Sequence, residues 1–194
     1  MRSSPVALAH LEDDAATAEA ARRIGELTHF DPRSGEACVL WSLAIRHAIL
    51  HAEFDIRSGL AHLDVESAAY WTERLDEAEV GPASRFTNNE WVVEALQAAW
   101  SAIVHTRVPH GAGDGDAGMP GAHLPAALST AIGIGHDTDT VAAIAGALLG
   151  ARWGASAIPA HWRRLLHGYP GINGERLVEL ATLAARGGKP LGNG

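Results

Sequence analysis

One run constrains the fold more than any other: Gly133-Ile-Gly-His-Asp-Thr-Asp-Thr-Val-Ala-Ala-Ile-Ala-Gly-Ala-Leu-Leu-Gly-Ala151. Past Thr140 it is small and apolar without a break, which reads as a helix with almost no polar face. Gly146 and Gly150 lie inside it, each costing about 1 kcal/mol relative to alanine. That cost predicts a central helix packed against a neighbouring backbone, with a rigidly held entrance. Asp137, Asp139 and Thr140 occupy that entrance, where unpaired N–H groups and the positive end of the helix dipole favour negative charge. Two readings follow from local chemistry. Either an Asp caps the helix through the first-turn amides, or three hard oxygens within four residues hold Mg²⁺, Mn²⁺ or Ca²⁺.

The remaining pattern is helical throughout. Asp13 and Asp14 precede a helix over Ala15–Leu27, which stops at Thr28-His-Phe-Asp-Pro32 because proline disfavours a helical residue before it. A second helix runs from about Ser34 to His51, with Ala37, Trp41, Ala44, Ile45, Ala48 and Ile49 on its buried face. Asp64 to about Glu79 follows, with Ala68, Trp71 and Leu75 inward and its acids on a solvated face. Asn88-Asn-Glu90 leads into Trp91–Val104, whose stripe is Val92, Val93, Leu96, Trp100 and Ile103. A short helix over Leu124–Ile134 reaches the Asp137 turn, and a last one spans about Gly174 to Arg186. Thr106–His123 reads as a mobile surface loop, and its Asp114-Gly-Asp116 lacks the closing Glu of a calcium loop. No segment alternates long enough to predict a strand. The fold class expected is all-α.

A chain of 194 residues suits a single domain, residues 1–194, with a frayed tail over 187–194. The formal charge of −8 and the lack of a basic stripe argue against nucleic acid as a partner. Cys38 is the only cysteine, so there is no disulfide framework, and its apolar context predicts an inert thiol. No signal peptide opens the chain and no apolar run approaches the ~20 residues that span a bilayer. A cytoplasmic location with no membrane partner is the expectation.

Residues Asp137–Ala151 resemble the C-terminal metal-binding motif of the ADP-ribosylglycohydrolase family, which includes the dinitrogenase-reductase-activating glycohydrolases. The resemblance implies a compact multi-helix bundle and a centre of two divalent cations, Mg²⁺ or Mn²⁺. Asp137, Asp139 and Thr140 match the family's metal ligands, while His136 stands where the family more often has Gly or Asn. Leu27-Thr-His29 matches an element whose His contacts the pyrophosphate of ADP-ribose, against the plain reading of His29 as a helix-end surface residue. Asn89 and Trp91 match a loop that lies against the substrate, against the plain reading of an Asn cap and a packed Trp.

Met1, Arg2 and Pro5 match a pattern internal to the family, so the expectation is a C-terminal portion of the domain, lacking its N-terminal helices. The family's remaining metal ligands, a Thr/Ser-Asp-Asp unit, and its catalytic acidic residue belong to that N-terminal half. No equivalent is found here, Glu12-Asp-Asp14 being in a helix-start context, and no catalytic residue is assigned. The implied activity is metal-dependent hydrolysis of the bond between ADP-ribose and an acceptor, on an ADP-ribosylated protein or a small ADP-ribose conjugate. Little turnover is expected of this chain by itself. The alternative is a non-catalytic binding or structural module on the same scaffold.

Overall fold

The computed structural model describes residues 3–109 and 119–189. Nine α-helices run through the described residues: α1 Ser4–Ala9, α2 Asp14–Glu26, α3 Pro32–His51, α4 Val65–Val80, α5 Val92–His105, α6 His123–Gly133, α7 Thr138–Trp153, α8 Ala160–Leu165 and α9 Gly174–Ala185. The all-α class holds. A two-residue antiparallel ladder, β1 His167–Gly168 with β2 Ile172–Asn173, joins α8 to α9. Strands that short leave no alternation in the sequence, which is why this stretch reads as a turn.

The bundle is built around α3 and α5. Pro32 occupies the first turn of α3, and the Asp31 carboxylate accepts from the Arg33 amide at 2.8 Å, a proline-started, side-chain-capped helix. From Ser34 to Ile45 every residue but Cys38 is buried, so α3 is enclosed all round rather than on the single expected face. It packs on α1, α2, α5 and α7, while α5 packs on α3, α4, α6 and α7. The main core gathers Leu40, Trp41, Trp71, Leu75, Leu96, Ile103, Leu124, Leu148 and Leu149. A smaller one, Ala18, Ala21, Val39 and Leu43, seals α2 on α3.

The packing of α7 differs from expectation. It buries Val141, Ala145, Leu148 and Leu149 against α3, α5 and α6. Its glycines do not seat a neighbouring backbone: a Cβ at Gly146 would meet only the Leu128 side chain at 3.5 Å, and one at Gly150 would meet nothing within 4 Å. Close approach occurs elsewhere. A Cβ at Gly25 would lie 3.2 Å from Cys38 Sγ, and one at Gly59 would lie 3.2 Å from the Leu40 Cα, so glycine is what lets α2 and the Arg57–His62 turn close on α3.

Polar side chains lock the helices where the core cannot. The Trp41 indole donates to the Ile144 carbonyl at 3.0 Å, tying α3 to α7 one turn past Thr140. The Glu36 carboxylate, buried in α3, accepts from Arg33 at 2.7 Å, Ser67 at 2.8 Å and the Trp71 indole at 2.7 Å. The acids of α4 are more than a solvated face. Asp76 and Glu79 pair with Arg57, Glu77 accepts from Gln97, and Glu79 also accepts from the Trp100 indole.

Asp114 and Asp116 lie outside the described residues. At the other end, α9 closes through Gly187 (φ 62°) and Gly188, whose amides donate to the Ala184 and Leu183 carbonyls at 3.0 and 2.9 Å. This left-handed glycine closure gives the first residues of the tail a defined turn. No helix among the described residues is long and apolar enough to cross a membrane.

Candidate functional site

Four helix ends meet at one cleft of about 550 Å³. The end of α2 supplies Ile24, Gly25, Thr28 and His29, and the start of α3 supplies Asp31, Ser34 and Cys38. Glu90, Trp91, Val92 and Ala95 come from the entrance of α5, and Asp137, Thr140 and Ile144 from that of α7. Residues more than a hundred positions apart thus share one wall because α3, α5 and α7 begin on the same side of the bundle. Their N-terminal ends direct partial positive charge into the cleft, which favours an anion.

The turn entering α7 is the unusual part. Gly135 and His136 both have positive φ, 86° and 61°. Glycine adopts that region freely, and histidine is among the residues that tolerate it. Together they swing the chain so that α7 starts on Asp137. That residue occupies the cap position, yet its side chain makes no cap hydrogen bond. Elsewhere Asp13, Asp31, Asp64 and Asn173 each fold back onto a first-turn amide at 2.8–2.9 Å. No hydrogen bond or ion pair engages the side chains of Asp137, Asp139 or Thr140 among the described residues. Their oxygens are left for something else.

Asp137 and Thr140, three apart, share the helix face turned to the cleft with Ile144, while Asp139 is exposed and outside the wall. Residues two apart on a helix do not face each other, and that spacing separates the two acids. His29 lies on the wall with its Nδ1 against Thr28 Oγ1 at 2.9 Å. Among the described residues Nε2 has no hydrogen-bond partner. Trp91 caps α5 through its backbone only, and its ring is half exposed at the cleft.

Asn89 behaves differently from the other expected contacts. It is fully buried and spends its whole amide on backbone: Nδ2 donates to Phe86 O at 3.1 Å and Gly135 O at 3.2 Å, and Oδ1 accepts from Asp137 N at 2.9 Å. It is not part of the cleft wall.

Two acids on the wall went unread in the sequence, Asp31 and Glu90. Asp31 carries the ordinary signature of a cap before Pro32, and Glu90 sits in a turn with no pattern of its own. Among the described residues no three His, Cys, Asp or Glu side chains form a group able to hold a metal. On the wall the arrangement therefore offers the Asp137 carboxylate and the Thr140 hydroxyl as oxygen donors, with Asp139 beside it on the exposed side, not a complete cage. An acidic wall beneath convergent helix N-termini suits an anionic ligand only if a cation offsets the carboxylates.

A family model for ADP-ribosylglycohydrolases matches residues 1–190. The chain belongs to the ADP-ribosylglycohydrolase family. No curated protein matches it. Membership accounts for the all-helical architecture and supports glycohydrolase-type chemistry in general terms. In this ADP-ribosylglycohydrolase chain the described residues place His29, Trp91, Asp137 and Thr140 on one cleft, with Asp139 beside it and Asn89 beneath it.

Proposed function

We propose that this cleft serves metal-dependent hydrolysis of the glycosidic bond between ADP-ribose and an acceptor such as an arginine side chain. One observation carries the reading. Asp137 stands at a helix start, where Asp13, Asp31 and Asp64 fold onto amides, yet among the described residues neither its carboxylate nor that of Asp139 has a partner. Carboxylates held free of donors, with a hydroxyl a turn away, fit a hard divalent cation.

Mg²⁺ or Mn²⁺, in a two-ion centre, would orient the ribose hydroxyls and lower the pKa of an attacking water. Asp137 and Asp139 would hold it as carboxylates and Thr140 through its hydroxyl. His29 donates from Nε2 to the pyrophosphate, aided by the α5 amides, whose cap residue Trp91 makes no side-chain cap bond. Trp91 offers its exposed ring as a flat surface against the nucleotide. Cleaving the bond builds positive charge on the ribose C1, which the acidic wall of Asp31, Glu90 and Asp137 favours.

A second reading is favoured by a specific observation. Among the described residues no third acid or imidazole joins the pair, which suits a module that binds ADP-ribose without cleaving it. Release of ADP-ribose from ADP-ribosylated arginine, followed with Mg²⁺ or Mn²⁺ against EDTA, separates the two. We expect slow, metal-dependent release by the 194-residue chain. Release unaffected by EDTA would remove the metal from the account, and no release together with metal-dependent ADP-ribose binding would establish the non-catalytic module.

A further inference from the structure

We propose that Asn89 is a positioning residue that sets the direction of the Asp137 carboxylate rather than a contact for the nucleotide. The inference rests on the metal-binding reading of Asp137. Three bonds fix the Asn89 amide: donation to the Phe86 and Gly135 carbonyls at 3.1 and 3.2 Å, and acceptance from the Asp137 amide at 2.9 Å. Its orientation is unambiguous, because the flipped amide would set two donors head to head at Asp137 and an oxygen against two carbonyls. The side chain is wholly enclosed, so solvent does not compensate for losing any of the three.

What these bonds hold is the single turn on which the acid depends. Gly135 and His136 pass through left-handed backbone, and Asp137 follows with φ −83° and ψ 62°, neither helical nor extended. No side-chain cap bond anchors Asp137. Among the described residues, two side-chain bonds reach this turn, both from Asn89, at Gly135 and Asp137. Asn89 thus clamps the entrance of α7 onto the turn before α5, 48 residues away in sequence. A carboxylate with no partner among the described residues takes its direction from its backbone, and Asn89 holds that backbone. A metal site needs its ligands held to within a fraction of an ångström.

The test is a Mn²⁺ titration of the full chain followed by electron paramagnetic resonance, in which free and bound Mn²⁺ have distinct spectra. Unchanged chain, Asn89→Ala and Gly135→Ala are compared, each checked for cooperative melting by circular dichroism. Gly135→Ala is the independent route to the same loop: its Cβ would meet nothing within 4 Å, but φ is +86°, so it disturbs backbone conformation without a clash. The expected result is Mn²⁺ affinity at least tenfold weaker in both variants, with helical content retained. Should Asn89→Ala fail to fold, Gly135→Ala decides alone. Variants that fold and bind Mn²⁺ as the unchanged chain does overturn the positioning role and leave the metal reading intact. An unchanged chain that binds no Mn²⁺ overturns the metal reading and this inference with it.

Discussion

Asp13, Asp31, Asp64 and Asp137 all precede helices and are indistinguishable by local sequence rules, yet the first three cap and the last does not. The difference comes from the preceding left-handed pair Gly135–His136 and from Asn89, neither visible in a propensity. The cap and metal readings of Asp137 could be separated only by its surroundings. The consequence is measurable. Mn²⁺ at a hundred times its dissociation constant should stabilise the chain by about 2.7 kcal/mol, raising its melting temperature. Asp137→Asn should melt like the unchanged chain in EDTA and lose the Mn²⁺-dependent rise; a rise that survives the substitution would place the ion elsewhere. Glu36 makes the opposite case, a buried carboxylate whose every bond is structural. Glu36→Ala strands the enclosed Trp71 N–H, while Ser67 keeps its bond to Asp64, and should cost about 1–3 kcal/mol in urea unfolding. A loss below about 1 kcal/mol would show that these bonds count for little.

Among the elements, α7 was legible in its start and its composition but not in what its glycines do. Glycines inside a helix predict tight packing, yet no described residue comes within 4 Å of a Cβ placed at Gly150. The expectation now reverses: Gly150→Ala should stabilise the protein by about 0.5–1 kcal/mol through helix propensity, measured by urea unfolding. Destabilisation would mean that the Gly150 face is in contact after all. The far end of α7 is latched by an imidazole. His123, on α6, donates from Nε2 to the Ile103 carbonyl at 3.0 Å and accepts at Nδ1 from the Trp153 indole at 3.1 Å. Both ring nitrogens are committed to the neutral form, and burial, with the nearby Arg152 charge as a smaller cause, pushes its pKa below 6.5. The unfolded chain then binds the proton more readily than the folded one. The stability His123 confers is complete above pH 6.5 and is lost as pH falls below it toward the folded pKa. Asp64 acts in a separate window: amide and hydroxyl bonds from Ser67 hold its carboxyl below 3.8, so its contribution fades only in stronger acid. The melting temperature should therefore fall between pH 7.5 and 5.5, and His123→Gln should flatten that part of the profile. An unchanged slope in the variant would assign it to another group.

Over the whole molecule, the sequence pattern revealed the seven longer helices to within a residue or two, because a bundle is assembled from amphipathic stripes, but the six-residue α1 and α8 are too short to show one. It could not reveal that α3 is enclosed on all sides, since that depends on which four helices surround it. Nor could it reveal the cleft, because a meeting of four helix ends is a property of topology; it was the family resemblance, not periodicity, that tied His29, Trp91 and Asp137 to one site, and they do share a wall. The apolar residues Leu165 and Leu166 at the end of α8 and Leu177 and Val178 in α9 remain exposed, again a matter of tertiary neighbours rather than of pattern.

The central claim is that the unpartnered carboxylates at the α7 entrance grip a divalent cation that handles ADP-ribose. Calorimetric titration with ADP-ribose, in Mn²⁺ and in EDTA, tests it most directly when the unchanged chain is set beside Asp137→Asn. The account predicts binding in Mn²⁺ that weakens at least tenfold both in EDTA and in the variant. Equal ADP-ribose affinity under all of these conditions would contradict it.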